Sequence, residues 1–325
     1  MRLFTHSFGK ALRRCLLCAA LACLPLSAQA APLANAHALV ITNDYAGSPF
    51  PLDGINFDRA QAIDMARLLG VTPERLQTAS NASLPRMREE LNGMLARVRT
   101  GDSVFIYYSG HGSQYAKPRP AKGENKCSEA LVANDAKSFY LDAELETLLK
   151  TLSRRAAQVV VMNDSCFSGG AATKPLGAQS SSQAKTLPRP SSNANDASYT
   201  CGEAINKGWR AIFLNLQETL AKHSPLPAPA RAQARQQEFR PRLIYLAAAS
   251  DNEVAYATPQ GSRATRAWAH CLKQNPAQNG KQLLRCAQAR LNGDGADASP
   301  AGEQQTLNLV GDGDIPLRLN AAYPD

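Results

Sequence analysis

The chain has 325 residues, of which 44% are hydrophobic and 19% are charged, and its formal charge is +9. Lys and Arg are scattered along it, with no basic stripe interleaved with aromatic residues, which argues against a nucleic-acid partner. This length can bury a large core in one domain, with or without insertions.

The first thirty residues have the pattern of a secretory signal peptide. A basic start and a short apolar stretch at 15–26 precede Ala28-Gln29-Ala30, a small-residue cleavage site. The stretch is short for a membrane span, and a retained anchor is the alternative. Removal of residues 1–30 takes four of the 36 basic residues and no acidic ones, which leaves a formal charge of +5. We therefore expect a periplasmic or secreted protein, with a mature chain of 31–325 and no membrane contact after cleavage.

Strands and helices alternate along the mature chain. In chain order the sequence predicts a strand at 37–43, a helix at 56–69, a short strand at 74–79, a helix at 83–98 capped by Ser83, and a strand at 103–109. There follow a loop or hairpin at 114–126, a strand at 130–133, a helix at 142–152 capped by Asp142, and a strand at 159–162. The remaining elements are helices at 209–220, 265–273 and 281–292 and strands at 242–249 and 306–310. This order predicts an α/β fold with a mostly parallel sheet and helices on both faces.

Two segments contain few large apolar residues. Residues 171–200 are rich in Ser, Ala, Pro and Asn, and residues 224–240 are rich in Pro, Ala, Arg and Gln. Such segments bury little surface, so we interpret the first as a flexible insertion and the second as a linker.

Five of the eight cysteines lie after the signal segment, an odd number for an oxidising compartment. We expect two disulfides, Cys271–Cys286 and Cys127–Cys201, although four cysteines allow three pairings. Cys166 is then the free thiol, kept either for packing or for its reactivity.

Two predicted buried strands are followed by residues suited to catalysis. His111 follows the strand at 103–109, and Cys166 follows the strand at 159–162. The C-terminal ends of parallel strands share one edge of a sheet, where ligands and chemistry are usually found. A thiol beside an imidazole becomes a good nucleophile. Each residue alone is more often structural, whereas the shared setting, with glycines after both, predicts a Cys/His dyad.

These two segments also resemble a known family. Residues 107–114 (YYSGHGSQ) and 164–170 (DSCFSGG) are similar to the catalytic His and Cys blocks of caspase-like cysteine peptidases, in particular the metacaspase and bacterial orthocaspase branch. The separation of 55 positions from His111 to Cys166 suits the caspase spacing. The resemblance covers about 37–170 and 241–270. It implies a three-layer caspase-like fold, with a large-subunit-like part at 37–170 and a small-subunit-like part at 241–325.

The resemblance implies a cysteine endopeptidase mechanism. Cys166 would attack the peptide carbonyl, and His111 would donate and accept the protons, including the one needed by the leaving amine. The backbone N–H groups of Gly112 and Cys166 would stabilise the oxyanion.

The resemblance further implies cleavage of protein or peptide substrates after Arg or Lys. The positions that match the pocket for this side chain are Asp58, Ser109 and Asp164, and a buried cation does require fixed anions. Two alternatives stay open. One is a catalytically silent domain used for binding or as a scaffold, and the other is a related peptidase that cleaves after Asn or Asp.

Such chemistry requires no cofactor, although many metacaspases are activated by calcium. Glu129 and Asp135 lie in the corresponding region, but Cys127 and Ser128 stand where an acidic residue is common. The metal ligands are therefore left unassigned, as is the oligomeric state.

Family members are often cut between their large and small parts. Lys185, Arg231 and Arg235 lie in the two polar segments and are not followed by proline, whose ring makes a poor cleavage site. We expect any self-cleavage at one of these three residues.

Overall fold

The structure is a computed structural model that describes residues 35–116, 127–166, 182–187, 242–250, 253–293, 295, 297–300 and 303–319. All of them belong to one compact unit, Ala34–Asp325. The expected signal peptide, Cys201, the helix at 209–220 and the linker at 224–240 lie outside the described residues.

The described elements follow the predicted alternation of strands and helices. In chain order they are β1 (Ala36–Thr42), α1 (Ile55–Leu68), β2 (Leu76–Ser80), α2 (Leu84–Arg97), β3 (Ser103–Ser109), β4 (Gly112–Ala116), β5 (Cys127–Val132), β6 (Phe139–Leu141), α3 (Asp142–Ser153), β7 (Gln158–Asp164), β8 (Gln183–Ala184), β9 (Arg242–Ala247), β10 (Tyr256–Ala257), α4 (Arg263–Gln274), α5 (Gly280–Asn292) and β11 (Asn308–Gly311). A 3-10 turn, Pro73–Arg75, precedes β2.

A six-stranded sheet in the order β11-β9-β7-β3-β1-β2 forms the centre of the fold. Every pairing is parallel except that of the edge strand β11 with β9. Every residue of β1, β3 and β7 is buried, because both faces of the sheet are covered. Strands β4, β5 and β6 form a smaller antiparallel sheet, and β8 pairs with β10.

Helices cover both faces of the central sheet. Alternate strand residues such as Val40, Tyr107 and Met162 pack with α1, α4 and α5 in one core. The residues between them, such as Ile41 and Val161, pack with α2 and α3 in a second core. The predicted three-layer α/β architecture is thus confirmed.

Two details differ from the sequence analysis. Ser83 caps α2, since its Oγ accepts from Arg86 N–H at 3.4 Å, but Asp142 is the first residue of α3 and not its cap. The side chain of Glu144, the next carboxylate along the chain, accepts a hydrogen bond from Leu141 N–H at 3.2 Å. It thereby gives a partner to the backbone N–H that precedes α3. Within the insertion 171–200, which was interpreted as flexible, residues 182–187 include the short strand β8 and are mostly buried against the main domain.

The structure contains the Cys271–Cys286 disulfide, which joins α4 to α5. Cys201 and the side chain of Cys127 are not described, so that pairing stays a prediction. No helix among the described residues is long and apolar enough to cross a membrane.

Removal of this disulfide by Cys271→Ala with Cys286→Ala should destabilise the protein. The two cysteines are 15 residues apart. A loop of this size restricts the unfolded chain enough to contribute about 3 kcal/mol. Urea unfolding of the variant and of oxidised wild type measures the difference, and reduced wild type, which would also lose the predicted Cys127–Cys201 bond, should be no more stable than the variant. Equal free energies of unfolding for all three samples would contradict the prediction.

Candidate active site

His111 and Cys166 leave the sheet at the same edge. Strands β3 and β7 are parallel neighbours, and their last residues, Ser109 and Asp164, are paired. His111 and Cys166 each follow two residues later, and both are buried. The sequence predicted this common edge, and the structure places both residues there.

The His111 ring is held by a backbone carbonyl. Its Nε2 lies 2.8 Å from Phe50 O, so Nε2 carries the proton and donates it in this hydrogen bond. Nδ1 is buried and has no hydrogen-bond partner among the described residues. Burial, together with the nearby Lys185 ammonium, lowers the pKa of His111 to about 4. The hydrogen bond to the Phe50 carbonyl acts in the opposite direction. The imidazole is therefore neutral, and its Nδ1 lone pair is available to accept a proton.

The Cys166 sulfur is a protonated thiol in this state. Sγ accepts from Ala255 N–H at 3.0 Å and lies 3.5 Å from Ala255 O, to which it donates. Burial raises the pKa of Cys166 to about 12, although the Ala255 N–H and the Lys185 ammonium oppose the shift. Among the described cysteines it is the free one.

Residues 182–187 lie across this end of the central sheet and pair with a neighbouring segment in a separate two-stranded sheet. Gln183 and Ala184 in β8 pair antiparallel with Tyr256 and Ala257 in β10. The next N–H, that of Lys185, donates to Ala255 O at 2.9 Å. Edge pairing of this kind is how many proteins hold extended peptides. A segment of the chain thus occupies the site in the manner of a bound peptide.

The Lys185 carbonyl points at two backbone donors. Its oxygen accepts from Gly112 N–H at 2.9 Å and from Cys166 N–H at 3.3 Å. These are the two groups that the family resemblance assigns to the oxyanion. Residue 112 must be glycine, because a Cβ there would lie 1.8 Å from Cys166 O. The two donors can therefore stabilise negative charge on the carbonyl oxygen of Lys185.

The Lys185 side chain is fully buried in an acidic pocket. Its Nζ lies 2.9 Å from Asp164 Oδ1 and 3.4 Å from Asp58 Oδ2. Nζ also donates to Ser109 Oγ at 2.8 Å and to Ser262 Oγ at 2.6 Å. Burial of an ammonium group is costly unless opposite charges and hydrogen-bond acceptors surround it. The three residues predicted to bind a basic side chain therefore surround one here.

The two pocket carboxylates are fixed by hydroxyl and backbone donors. Ser109 Oγ donates to Asp58 Oδ2 at 2.6 Å, and Ser262 N–H donates to Asp58 Oδ1 at 2.6 Å. Thr265 Oγ1 donates to Asp164, whose pKa is raised by burial although Lys185 acts in the opposite direction. Donors of the pocket itself thus hold the oxygens of both carboxylates in position beside the Lys185 ammonium.

Comparisons with known proteins identify the family of the chain. The family model for the caspase domain matches residues 35–309. The chain belongs to the caspase-domain family.

Two curated relatives of this caspase-domain chain are metacaspases. Metacaspase-1 of Ajellomyces capsulatus is 25% identical over 228 residues, which are 68% of this chain and 64% of that protein. Metacaspase-6 of Arabidopsis thaliana is 26% identical over 141 residues, 41% of this chain and 38% of that protein. The chain thus spans less than two thirds of the length of these relatives.

Two solved structures share the fold at low sequence identity. Protein GSU0716 from Geobacter sulfurreducens has a TM-score of 0.53 and 16% identity, and the match covers 85% of this chain and 92% of that one. Caspase-1 from Spodoptera frugiperda has a TM-score of 0.51 and 10% identity, and the match covers 90% and 93% of the two chains.

Several residues of this caspase-domain site were not predicted from the sequence. Phe50 and Ala255 act through backbone atoms, which leave no side-chain signal. Ser262 and Thr265 lie in the block 261–268, which resembles a family segment but carries no distinctive residue type. Lys185 was expected only as a site of self-cleavage, and its place in the pocket was missed.

The part of the chain that the structure describes offers calcium no clear ligand set. Asp135 Oδ1 accepts from the N–H groups of Lys137 and Ser138 in a local turn, and Glu129 is a buried residue of β5. Within the described ranges no three His, Cys, Asp or Glu side chains are grouped as metal ligands would be. Calcium activation therefore stays a prediction.

Proposed function

We propose that the protein is a cysteine endopeptidase that cleaves peptide bonds after Lys or Arg. One observation carries this proposal: Lys185 has its ammonium between Asp58 and Asp164 and its carbonyl on the N–H groups of Gly112 and Cys166. The family membership supports the same class of activity.

The geometry supports a two-step acyl transfer. His111 Nδ1 takes the thiol proton of Cys166, and the sulfur attacks the carbonyl carbon while the carbonyl electron pair moves to oxygen. The two N–H groups stabilise that oxyanion. When it collapses, the carbon–nitrogen bond breaks and His111 returns the proton to the leaving amine. Water, deprotonated by His111, then cleaves the thioester and restores the thiol.

The pocket supports a basic residue before the cleaved bond and disfavours an acidic one. A carboxylate in the place of Lys185 would lie beside two fixed carboxylates in a site closed to water, which is strongly unfavourable. The experiment is a panel of peptides that differ only in ending with Lys, Arg, Asn or Asp at the cleaved bond. Cleavage after Lys and Arg alone is expected, and preference for Asn or Asp would refute the basic-pocket assignment.

A silent binding domain is the second candidate, and the neutral state of the site favours it. The pKa of Cys166 near 12 and that of His111 near 4 make a thiol and an uncharged imidazole, and the chain itself fills the cleft. Labelling of Cys166 by a peptidyl electrophile that ends in Lys distinguishes the two candidates, since a silent domain would not form the thioether.

Self-cleavage should occur between Lys185 and Thr186. Lys185→Arg should retain the cut because its guanidinium also pairs with carboxylates, whereas Lys185→Gln should abolish it. Mass spectrometry of the products identifies the bond, which is expected to leave a new N-terminus at Thr186. Arg231 and Arg235 lie outside the described residues, and cleavage only there, with the Lys185–Thr186 bond intact, would contradict the prediction.

We also propose that the protein works outside the cytoplasm, in the periplasm or beyond the cell. The Cys271–Cys286 disulfide supports this, because such bonds persist in oxidising compartments. The signal-peptide pattern of residues 1–30 supports it independently.

A further inference from the structure

Leu187, two residues after Lys185, is the one large apolar residue of the segment 182–187. Its exposed fraction is 3%. Its N–H donates to Gly112 O at 3.1 Å, and Thr186 forms a parallel bridge with Gly112. The backbone is therefore held on both sides of the Lys185 carbonyl. This gives the Leu187 side chain a defined place relative to the bond that would be cut.

Leu187 packs in an apolar cluster distinct from the two cores of the sheet. Its buried partners are Tyr45, Leu52, Ile55, Val132 and Ala257. These side chains carry no charge, so a charged residue in the place of Leu187 would lose its water without gaining an ion pair. The cluster therefore distinguishes aliphatic from charged side chains at this position.

Tyr45 fixes the wall of this cluster that faces His111. Its hydroxyl donates to Val132 O at 2.9 Å and accepts from His111 N–H at 2.8 Å. The two rings are 4.5 Å apart, and Tyr45 has a positive φ of 56° in a fully buried position. Backbone strain of this kind persists only where the surroundings enforce it. Tyr45 is thus held by contacts outside the bound segment, and the cluster directly adjoins the histidine.

We propose that the cleft has an apolar subsite for the second residue after the cleaved bond, and that preferred substrates carry Leu or a similar aliphatic residue there. This inference rests on the proposed function, because it assumes that a substrate follows the path of residues 182–187. The hydrogen bond from Leu187 to Gly112 uses only backbone atoms, so any peptide on that path would present its own second residue to the same cluster. Specificity then comes from both sides of the bond, with a cation before it and an apolar group after it.

The test uses internally quenched peptides of the frame Ser-Gln-Ala-Lys-Thr-Xaa, in which Xaa is Leu, Gly or Asp, with the full chain as enzyme. We expect kcat/KM to be about 10- to 100-fold higher for Leu than for Gly, and lower still for Asp, as is usual for an apolar pocket. Because the ratio compares substrates in one enzyme sample, the fraction of active molecules cancels. Equal kcat/KM for all three peptides would overturn the subsite and leave the proposed function standing.

A pair of variants separates the cluster from general effects on the fold. Leu52→Ala, in the cluster, should reduce the ratio of Leu to Gly severalfold, whereas Leu95→Ala, on α2 in the opposite core, should leave it unchanged. An unchanged ratio in folded Leu52→Ala would overturn the assignment to this cluster. If Leu52→Ala does not fold, the peptide series on wild type decides alone. Failure to cleave any peptide that contains Lys would overturn the proposed function and the subsite together.

Discussion

Cys166→Ala is expected to give a folded protein that cuts neither its own chain nor any peptide. The sulfur is the atom that would form the covalent intermediate, and no other thiol among the described residues is free. Loss of a catalytic nucleophile lowers kcat by about 10³-fold or more, with the remainder due to binding and the oxyanion donors. His111→Ala should cause a loss of the same order, because the thiol would then have no base. Gel analysis of the purified chains and turnover of a peptide ending in Lys measure both effects.

Ser103→Ala is the matched control for these variants. Ser103 is the first residue of β3, at the opposite end of the strand that leads to His111, and its hydroxyl is buried. The substitution removes one small polar atom far from the cleft, so cleavage should match that of wild type. Circular dichroism and thermal unfolding establish that each variant is folded. A folded Cys166→Ala chain that still separates Lys185 from Thr186 would contradict the mechanism.

Asp58→Asn and Asp164→Asn are each expected to reduce kcat/KM for peptides ending in Lys by about 30-fold or more. Removal of one partner from a fully desolvated charge pair costs about 2–5 kcal/mol, much of it because the other charge stays buried. The double variant should lose the preference for Lys over the uncharged Gln altogether. Steady-state kinetics with the Lys and Gln peptides measure this loss of discrimination.

Asp64→Asn is the matched control on the same helix as Asp58. Asp64 is an exposed residue of α1 that pairs with Arg67 at the surface, where such pairs contribute little. Its exchange should leave both kinetic constants unchanged. Wild-type cleavage of Lys peptides by the double variant Asp58→Asn/Asp164→Asn would refute the acidic pocket.

The same pocket should make binding of a basic side chain sensitive to pH. Burial raises the pKa of Asp164 even with the Lys185 ammonium beside it. In a pocket without a cation the opposing effect of Lys185 is absent, so the pKa of Asp164 rises further and the carboxyl takes up a proton more readily. As pH falls through that pKa, Asp164 becomes neutral and the attraction for Lys weakens. KM for Lys peptides is therefore expected to rise toward acidic pH.

Much of the sheet and part of the site could be predicted because their signals are local. The apolar runs of β3 and β7 mark strands buried on both faces, and parallel pairing then brings His111 and Cys166 to one edge. Asp58, Ser109 and Asp164 are side chains within blocks that resemble the family. Each of these inferences requires only the residue type and its place in a strand or helix.

The other parts of the site depend on contacts between distant segments of the chain, and these contacts leave no local pattern in the sequence. Residues 182–187 contain one large apolar side chain, so their composition resembles that of a solvent-exposed loop. They are ordered because Lys185 finds two carboxylates and Leu187 finds an apolar cluster, both built from distant parts of the chain. Phe50 and Ala255 make their contacts through backbone atoms, which every residue has. Residue type therefore cannot predict these contacts.

The strand β8 and Lys185 belong to the same polypeptide as the cleft that they fill. Cleavage of the Lys185–Thr186 bond, if it takes place in the molecule that holds it, would be a unimolecular event with first-order kinetics and a half-life independent of dilution. The rate of this cleavage would be the same in a dilute and in a concentrated solution of the protein. Until that bond is cut, any other peptide would have to compete with a ligand tethered in the cleft, whose effective concentration does not fall on dilution.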